Sequence, residues 1–170
     1  MRTEHLISIE KELSLIGKLS VEVSKAGFNA ENTVVVTVSG DYSSIVGQIM
    51  RHNLSFNGEI AEGFSVDVPY PDQEWNSDFL YALEVTVAMQ PDMFKNKTLL
   101  LVEAGVIRGG NYNFLTDWLA LNYSGVKVKT LTLFENVHSV FKSDFVGEFY
   151  DDKTQDLTFS WEKFNNHWTK

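Results

Sequence analysis

The stretch of the chain richest in potential chemistry runs from Glu103 to Asn111, Glu-Ala-Gly-Val-Ile-Arg-Gly-Gly-Asn. It holds an acid, an arginine and two adjacent glycines. An apolar run, Leu99-Leu100-Leu101-Val102, precedes it, and a segment with helical spacing follows, with Phe114, Leu115, Trp118 and Leu119 on one face. A glycine pair just ahead of a helix leaves backbone N–H groups unpaired at the positive end of the helix dipole, which is a ready site for a phosphate. Arg108 would supply the positive charge. The same residues also fit a plainer account, in which Gly109-Gly110 makes a tight turn and Arg108 is solvated. The stretch matches neither the GxxxxGKS/T loop of nucleotide triphosphatases nor the GxGxxG dinucleotide fingerprint. A second loop, Ser39-Gly40-Asp41, follows the β-branched run Thr33 to Val38. The histidines, His5, His52, His138 and His167, are scattered without an HExxH pattern or a close pair, and they read as surface or capping residues. No nucleophile elbow is present. The absence of cysteine excludes disulfides, thiolate zinc sites and a cysteine nucleophile. No metal site is predicted.

The elements around these loops follow from hydrophobic spacing. Over residues 4–25, Leu6, Ile9, Leu13, Ile16, Leu19 and Val23 recur at steps of 3 and 4, which predicts a helix with Thr3 as N-cap and Gly27 as its stop. Residues 33–38 are too β-branched and apolar for a surface helix and predict a buried strand of the parallel-sheet kind. Ser39-Gly40-Asp41 reads as a turn, and a helix from about Ser43 to Arg51 turns Ile45, Val46, Ile49 and Met50 inward. Residues 54–68 read as short antiparallel strands around the Asn57-Gly58 turn, ended by Pro69-Tyr70-Pro71. Residues 77–89 read as a helix, from Phe79, Leu80, Leu83 and Val87. Then come a strand ending on Glu103, a loop from Ala104 to Gly110, a helix from Asn111 to Leu121 stopped by Gly125, and a strand over 126–133. That is a βαβ unit, whose right-handed crossover puts a parallel sheet at the core. One or two short strands are expected in 144–160. Ligands of such sheets bind beyond the carboxyl ends of the strands, where both loops lie.

The whole chain, 170 residues with 14 basic and 23 acidic side chains, suits a single domain over residues 1–170. Its 44% hydrophobic and 13% aromatic content excludes a disordered acidic chain. A net charge of −9 and only three arginines, without a basic run, argue against nucleic acid as a partner. No apolar run approaches the roughly 18 residues of a membrane span, and the start of the sequence lacks a signal-peptide core. No membrane partner is therefore expected, and a cytoplasmic location fits.

From Lys97 to Phe164 the chain resembles the type I phosphoribosyltransferases, closest to the hypoxanthine and xanthine-guanine enzymes of purine salvage. Leu99-Leu100-Leu101-Val102, Glu103-Ala104 and Arg108-Gly109-Gly110-Asn111 are similar to that family's strand of four hydrophobics, its acidic pair and its Thr-Gly-x-Thr loop. Val126 to Phe134 is similar to the next strand. Ser139-Val140-Phe141-Lys142-Ser143-Asp144-Phe145-Val146-Gly147-Glu148 is similar to the family's Ser-Val-x-x-Lys-Pro-Asp-Phe-Val-Gly segment, and Phe159-Ser160-Trp161-Glu162 to its Phe-Pro-Trp-Glu ending. The resemblance implies an α/β fold, a three-layer parallel-sheet core with a small β hood, the hood expected in the 54–68 excursion.

The resemblance also assigns roles. It makes Glu103 the ribose-contacting acid, with Ala104 where the second acid belongs. It makes Arg108, Gly109, Gly110 and Asn111 the phosphate loop, with Arg108 and Asn111 in place of threonines. It puts Ile107, which transfers no proton, where purine enzymes carry an assisting acid. Ser39, Gly40 and Asp41 take the pyrophosphate-loop position, where a carboxylate opposes diphosphate. Phe134 falls near the base-reading lysine, and Trp161 is a surface for base stacking or for a partner. Mg²⁺ would belong only to an active enzyme, and Glu103 alone is a thin ligand set.

These departures imply a phosphoribosyltransferase-like protein with an altered, non-catalytic site that binds a nucleotide, a sugar phosphate or another small phosphorylated ligand. The alternatives are a scaffold that uses the fold for interaction and an active transferase with divergent site residues. Trp161, Phe164 and Trp168 would align on a short C-terminal helix, docked on the core or presented to a partner. The stripe of the first helix leaves a homodimer contact open.

Overall fold

A computed structural model describes residues 3–38, 40–66, 68, 95–123 and 125–159. In chain order the described elements are β1 (Thr3–Ile7), α1 (Ile9–Lys25), β2 (Thr33–Val38), α2 (Gly40–Asn53), β3 (Glu62–Val66), β4 (Thr98–Val106), α3 (Gly110–Asn122), β5 (Lys127–Asn136), β6 (Phe145–Tyr150) and β7 (Gln155–Phe159). Five strands form one wholly parallel sheet in the order β3-β2-β4-β5-β6. Parallel strands need covered faces, and the side chains supply them alternately. Val35, Leu100 and Val102 face a core shared with Leu15, Ile16, Leu19 and Val23 of α1 and with Val46 and Met50 of α2. Val34, Val36, Leu99 and Leu101 face the opposite core, with Tyr112, Leu115, Trp118 and Leu119 of α3. Helix, sheet and helix therefore stack as the expected three layers. No helix among the described residues is long and apolar enough to cross a membrane.

The predicted β2 is buried at every position. The predicted βαβ unit is β4-α3-β5, and the two late strands are β6 and β7. Four expectations are corrected. The first helix does not begin after Thr3: residues 3–7 are β1, which pairs in parallel with β7 as a separate two-stranded sheet. The helix starts one turn later, with Ser8 as N-cap, its Oγ accepting from the Lys11 N–H at 3.3 Å. Ile9 and Leu13 are consequently exposed, and Leu15 takes the inward place. Ser8→Ala should therefore cost about 1 kcal/mol of stability in a urea titration, because it orphans a first-turn N–H.

The second correction concerns 54–68. Asn57 and Gly58 both have positive φ, as a tight hairpin turn requires. That turn closes only a single antiparallel bridge, Phe56 to Glu59. The strand that follows, β3, pairs in parallel with β2 as an edge of the main sheet, so it is not a hood. The small extra sheet is instead β1 with β7. Third, Gly40 and Asp41 are the first residues of α2 and not a turn. Within that helix Val46 and Met50 are buried as expected, but Ile45 is exposed. Fourth, β4 does not end on Glu103 but runs to Val106. The helix read over 77–89 and the aromatic cluster Trp161, Phe164 and Trp168 lie outside the described residues.

Candidate functional site

The strand order reverses its growth between β2 and β4: β3 adds on one side, β5 and β6 on the other. A crevice forms at such a switch point, outside the carboxyl ends of the strands. Two elements begin there, α2 after β2 and α3 after β4. The Ala104 N–H donates to Ser43 Oγ at 3.2 Å, which ties the start of α2 to β4. Gly40 and Asp41 stand at the head of α2, while Ser39 lies outside the described residues. Trp161 lies outside them too.

At the other element the phosphate-loop residues divide. Gly109 caps α3 in a left-handed conformation (φ 80°) that glycine adopts freely, and no side chain caps the helix there. It is buried beneath the β5–β6 connection: a Cβ on it would lie 2.2 Å from Phe141 Cβ and 3.1 Å from Ser139 Oγ. Arg108 and Gly110 are exposed, and Ile107 beside them is exposed too. Asn111 is half-buried, and its Nδ2 donates to Glu103 Oε1 at 2.8 Å. The turn is thus filled on the Gly109 side and open at Arg108 and Gly110.

Glu103 is not a loop residue. It sits within β4 on the α3 side, 9% exposed. Burial raises its carboxyl pKa to about 7, and the hydrogen bond from Asn111 offsets only part of that. Its neighbour Ala104 points into the opposite core, with α1 and α2. A single buried carboxyl already held by an amide is a poor fit for Mg²⁺, which needs carboxylate oxygens facing water and substrate. These residues therefore do not fit a Mg²⁺ site. Phe134 is buried against Phe159, ring centroids 5.7 Å apart, so that position is core.

Sequence reasoning missed the polar residues packed around this turn. The Tyr112 hydroxyl is fully buried and donates to the Leu131 carbonyl at 2.5 Å, locking α3 to β5. Burial, then the nearby Glu103 carboxylate, raises its pKa far above the usual phenol value. Glu135, at the end of β5, is wholly buried. Its Oε2 accepts from the Ser143 N–H at 2.8 Å, and its Oε1 lies 3.6 Å from Lys142 Nζ, beyond hydrogen-bond reach. Ser139 Oγ, at the roof of Gly109, is buried without a hydrogen-bond partner. The available signal was Glu135-Asn136 directly after the apolar Leu133-Phe134 at the end of a strand. Asp144, from the segment that resembles the transferases, is structural: it accepts from the Thr130 N–H and Oγ1 and pairs with Lys129.

No protein-family model matches the chain, and no curated protein matches it in sequence. Solved structures do match in fold. A purine phosphoribosyltransferase from Pyrococcus horikoshii superposes with a TM-score of 0.65 at 12% identity, over 93% of both chains. A xanthine-guanine-hypoxanthine phosphoribosyltransferase from Helicobacter pylori gives 0.61 at 16% identity, over 99% of this chain and 100% of that one. A hypothetical protein from Neisseria gonorrhoeae with bound ppGpp gives 0.65 at 13% identity, over 98% and 96%. The shared architecture is the type I phosphoribosyltransferase fold.

Proposed function

We propose that this chain uses the phosphoribosyltransferase fold to bind a nucleotide or sugar phosphate without transferring it. The observation that carries the reading is the open half of the α3 turn. Arg108 and Gly110 are exposed at the switch-point end of β4, beside a helix start that no side chain caps. Unpaired N–H groups, the helix dipole and a guanidinium favour a phosphate there. The Neisseria gonorrhoeae neighbour, solved with ppGpp, supports a nucleotide as the ligand class.

What supports the absence of transfer is the chemistry missing from the same place. Ile107 stands exposed where a proton-transferring acid would be needed, and Ala104 is packed into the core on the far side of the sheet. Glu103 is engaged by Asn111 and buried, which removes it as a clamp on ribose hydroxyls.

Calorimetric titration with nucleoside monophosphates, ppGpp and phosphoribosyl pyrophosphate tests the binding. At least one should bind saturably, and Arg108→Ala should weaken it by about tenfold, a loss of about 1.4 kcal/mol of charge-assisted hydrogen bonding. Pyrophosphate release with Mg²⁺ and common nucleobases should stay at background. No heat and no thermal shift with any of these ligands would remove the binding reading, while base-dependent pyrophosphate release would establish catalysis instead.

A further inference from the structure

His138, Asp151 and Asp152 are far from the α3 turn in sequence and scattered as sequence features, yet the fold gathers them. His138 lies in the connection after β5, and the two aspartates lie in the turn between β6 and β7. One imidazole nitrogen and one oxygen from each carboxylate all fall within 4.8 Å of one another. His138 Nε2 and Asp151 Oδ1 are 3.3 Å apart. Two ligand atoms that each sit about 2.1 Å from a tetrahedral zinc ion are about 3.4 Å apart, so this pair already has the spacing of adjacent ligands.

The backbone holds both segments in place. The Val137 N–H donates to the Tyr150 carbonyl at 2.8 Å, which docks the two connections side by side. The His138 N–H donates to Asn136 Oδ1, and the Asp151 carboxylate accepts from the Lys153 N–H at 2.9 Å. An imidazole–carboxylate pair would account for His138 and Asp151 alone. It leaves Asp152 as a second like charge beside them, in a chain that already carries nine excess negative charges. A divalent cation would relieve both carboxylates at once.

We propose that His138, Asp151 and Asp152 form a divalent-cation site of the zinc class. The imidazole separates it from a site for Mg²⁺ or Ca²⁺, which take oxygen ligands. Three protein donors leave the fourth tetrahedral position for water or an outside ligand. The bound ion would join the β5–β6 connection to the β6–β7 turn.

The test uses the full chain, freed of metal with a chelator and titrated with Zn²⁺, Mn²⁺ and Mg²⁺ by calorimetry and thermal unfolding. Zn²⁺ should bind saturably at one per chain and raise the melting temperature, and Mg²⁺ should bind at least tenfold more weakly. His138→Ala and Asp152→Asn should each weaken Zn²⁺ at least tenfold, while His52→Ala should leave it unchanged. X-ray absorption of the zinc form should show one imidazole nitrogen with oxygen ligands at about 2.0–2.2 Å. All three side chains are at least partly exposed, so the variants should fold, and their melting curves without metal check this. Absence of saturable binding, or binding indifferent to both His138→Ala and Asp152→Asn, overturns the proposal.

Discussion

Gly109→Ala should lower stability by about 3 kcal/mol. Two costs combine: a left-handed backbone is worth about 1–2 kcal/mol against a residue with a Cβ, and forcing extra volume into a packed site costs about 1–3 kcal/mol more. The second applies because the new methyl would lie 2.2 Å from Phe141 Cβ, which is no contact at all but an overlap. Phe141 is poorly placed to yield, since its ring packs against the buried Tyr112 at 5.1 Å between centroids. Gly58 isolates the terms: its φ is 83°, yet a methyl there meets nothing within 4 Å, so Gly58→Ala should cost only the backbone share, about 1 kcal/mol. Urea unfolding of the two variants side by side reads the difference. Should Gly109→Ala prove as mild as Gly58→Ala, the β5–β6 connection would not be seated on the start of α3. The same change should also disturb phosphate binding, since it displaces the helix start that would make it.

Glu103→Gln carries the second large effect, and its signature is pH. Burial lifts the Glu103 carboxyl from 4.5 to about 7 in the folded chain. The folded protein therefore holds a proton that the unfolded chain has released between those values. Stability tied to this group is fully present below pH 4.5 and is lost as pH rises through 7. The total is about 3 kcal/mol, at about 1.4 kcal/mol per pH unit across the window. Glutamine keeps an acceptor for Asn111 and never ionises. The variant should thus match the parent near pH 4.5 and exceed it by up to about 3 kcal/mol at pH 8. Chemical denaturation at several pH values measures the gap between the two proteins. A gap that does not widen from pH 4.5 to 7 would mean that Glu103 is well solvated, contrary to its place in β4.

Much of the scaffold is legible in the sequence, and the parts that are not share a cause. β2 and β4 announce themselves because a strand covered on both faces reads as a nearly continuous apolar run, and β5 because Val128, Leu131, Leu133 and Phe134 are interleaved with β-branched threonines. Leu115, Trp118 and Leu119 of α3 follow from helical period. Local spacing cannot see partners far along the chain. Leu6 happened to fall in step with the stripe of α1, so β1 read as helix, when what makes residues 3–7 a strand is β7. The Asn57-Gly58 turn was real, but it implied an antiparallel pair where β3 in fact joins β2. The site shows the same limit. Arg108 and Gly110 were legible as a loop ahead of a helix. The partnership of Glu103 with Asn111, the roof over Gly109 and the buried Glu135 depend on three elements meeting, and no spacing encodes that.

The pairing of β1 with β7 also bears on the order in which the molecule is made. Residues 3–7 leave the ribosome well before the strand they join, which lies about 150 positions later, and closing a loop of that length must await the synthesis of that strand. The inner strands of the main sheet face no such delay, since β2, β4 and β5 can associate as each crossover is completed, whereas the edge strand β6 arrives only just ahead of β7. Nascent chains should therefore carry the β3-β2-β4-β5 part of the sheet while residues 3–7 still lack their partner strand, with Leu6 and Ile7 open to chaperones until Gln155–Phe159 arrives.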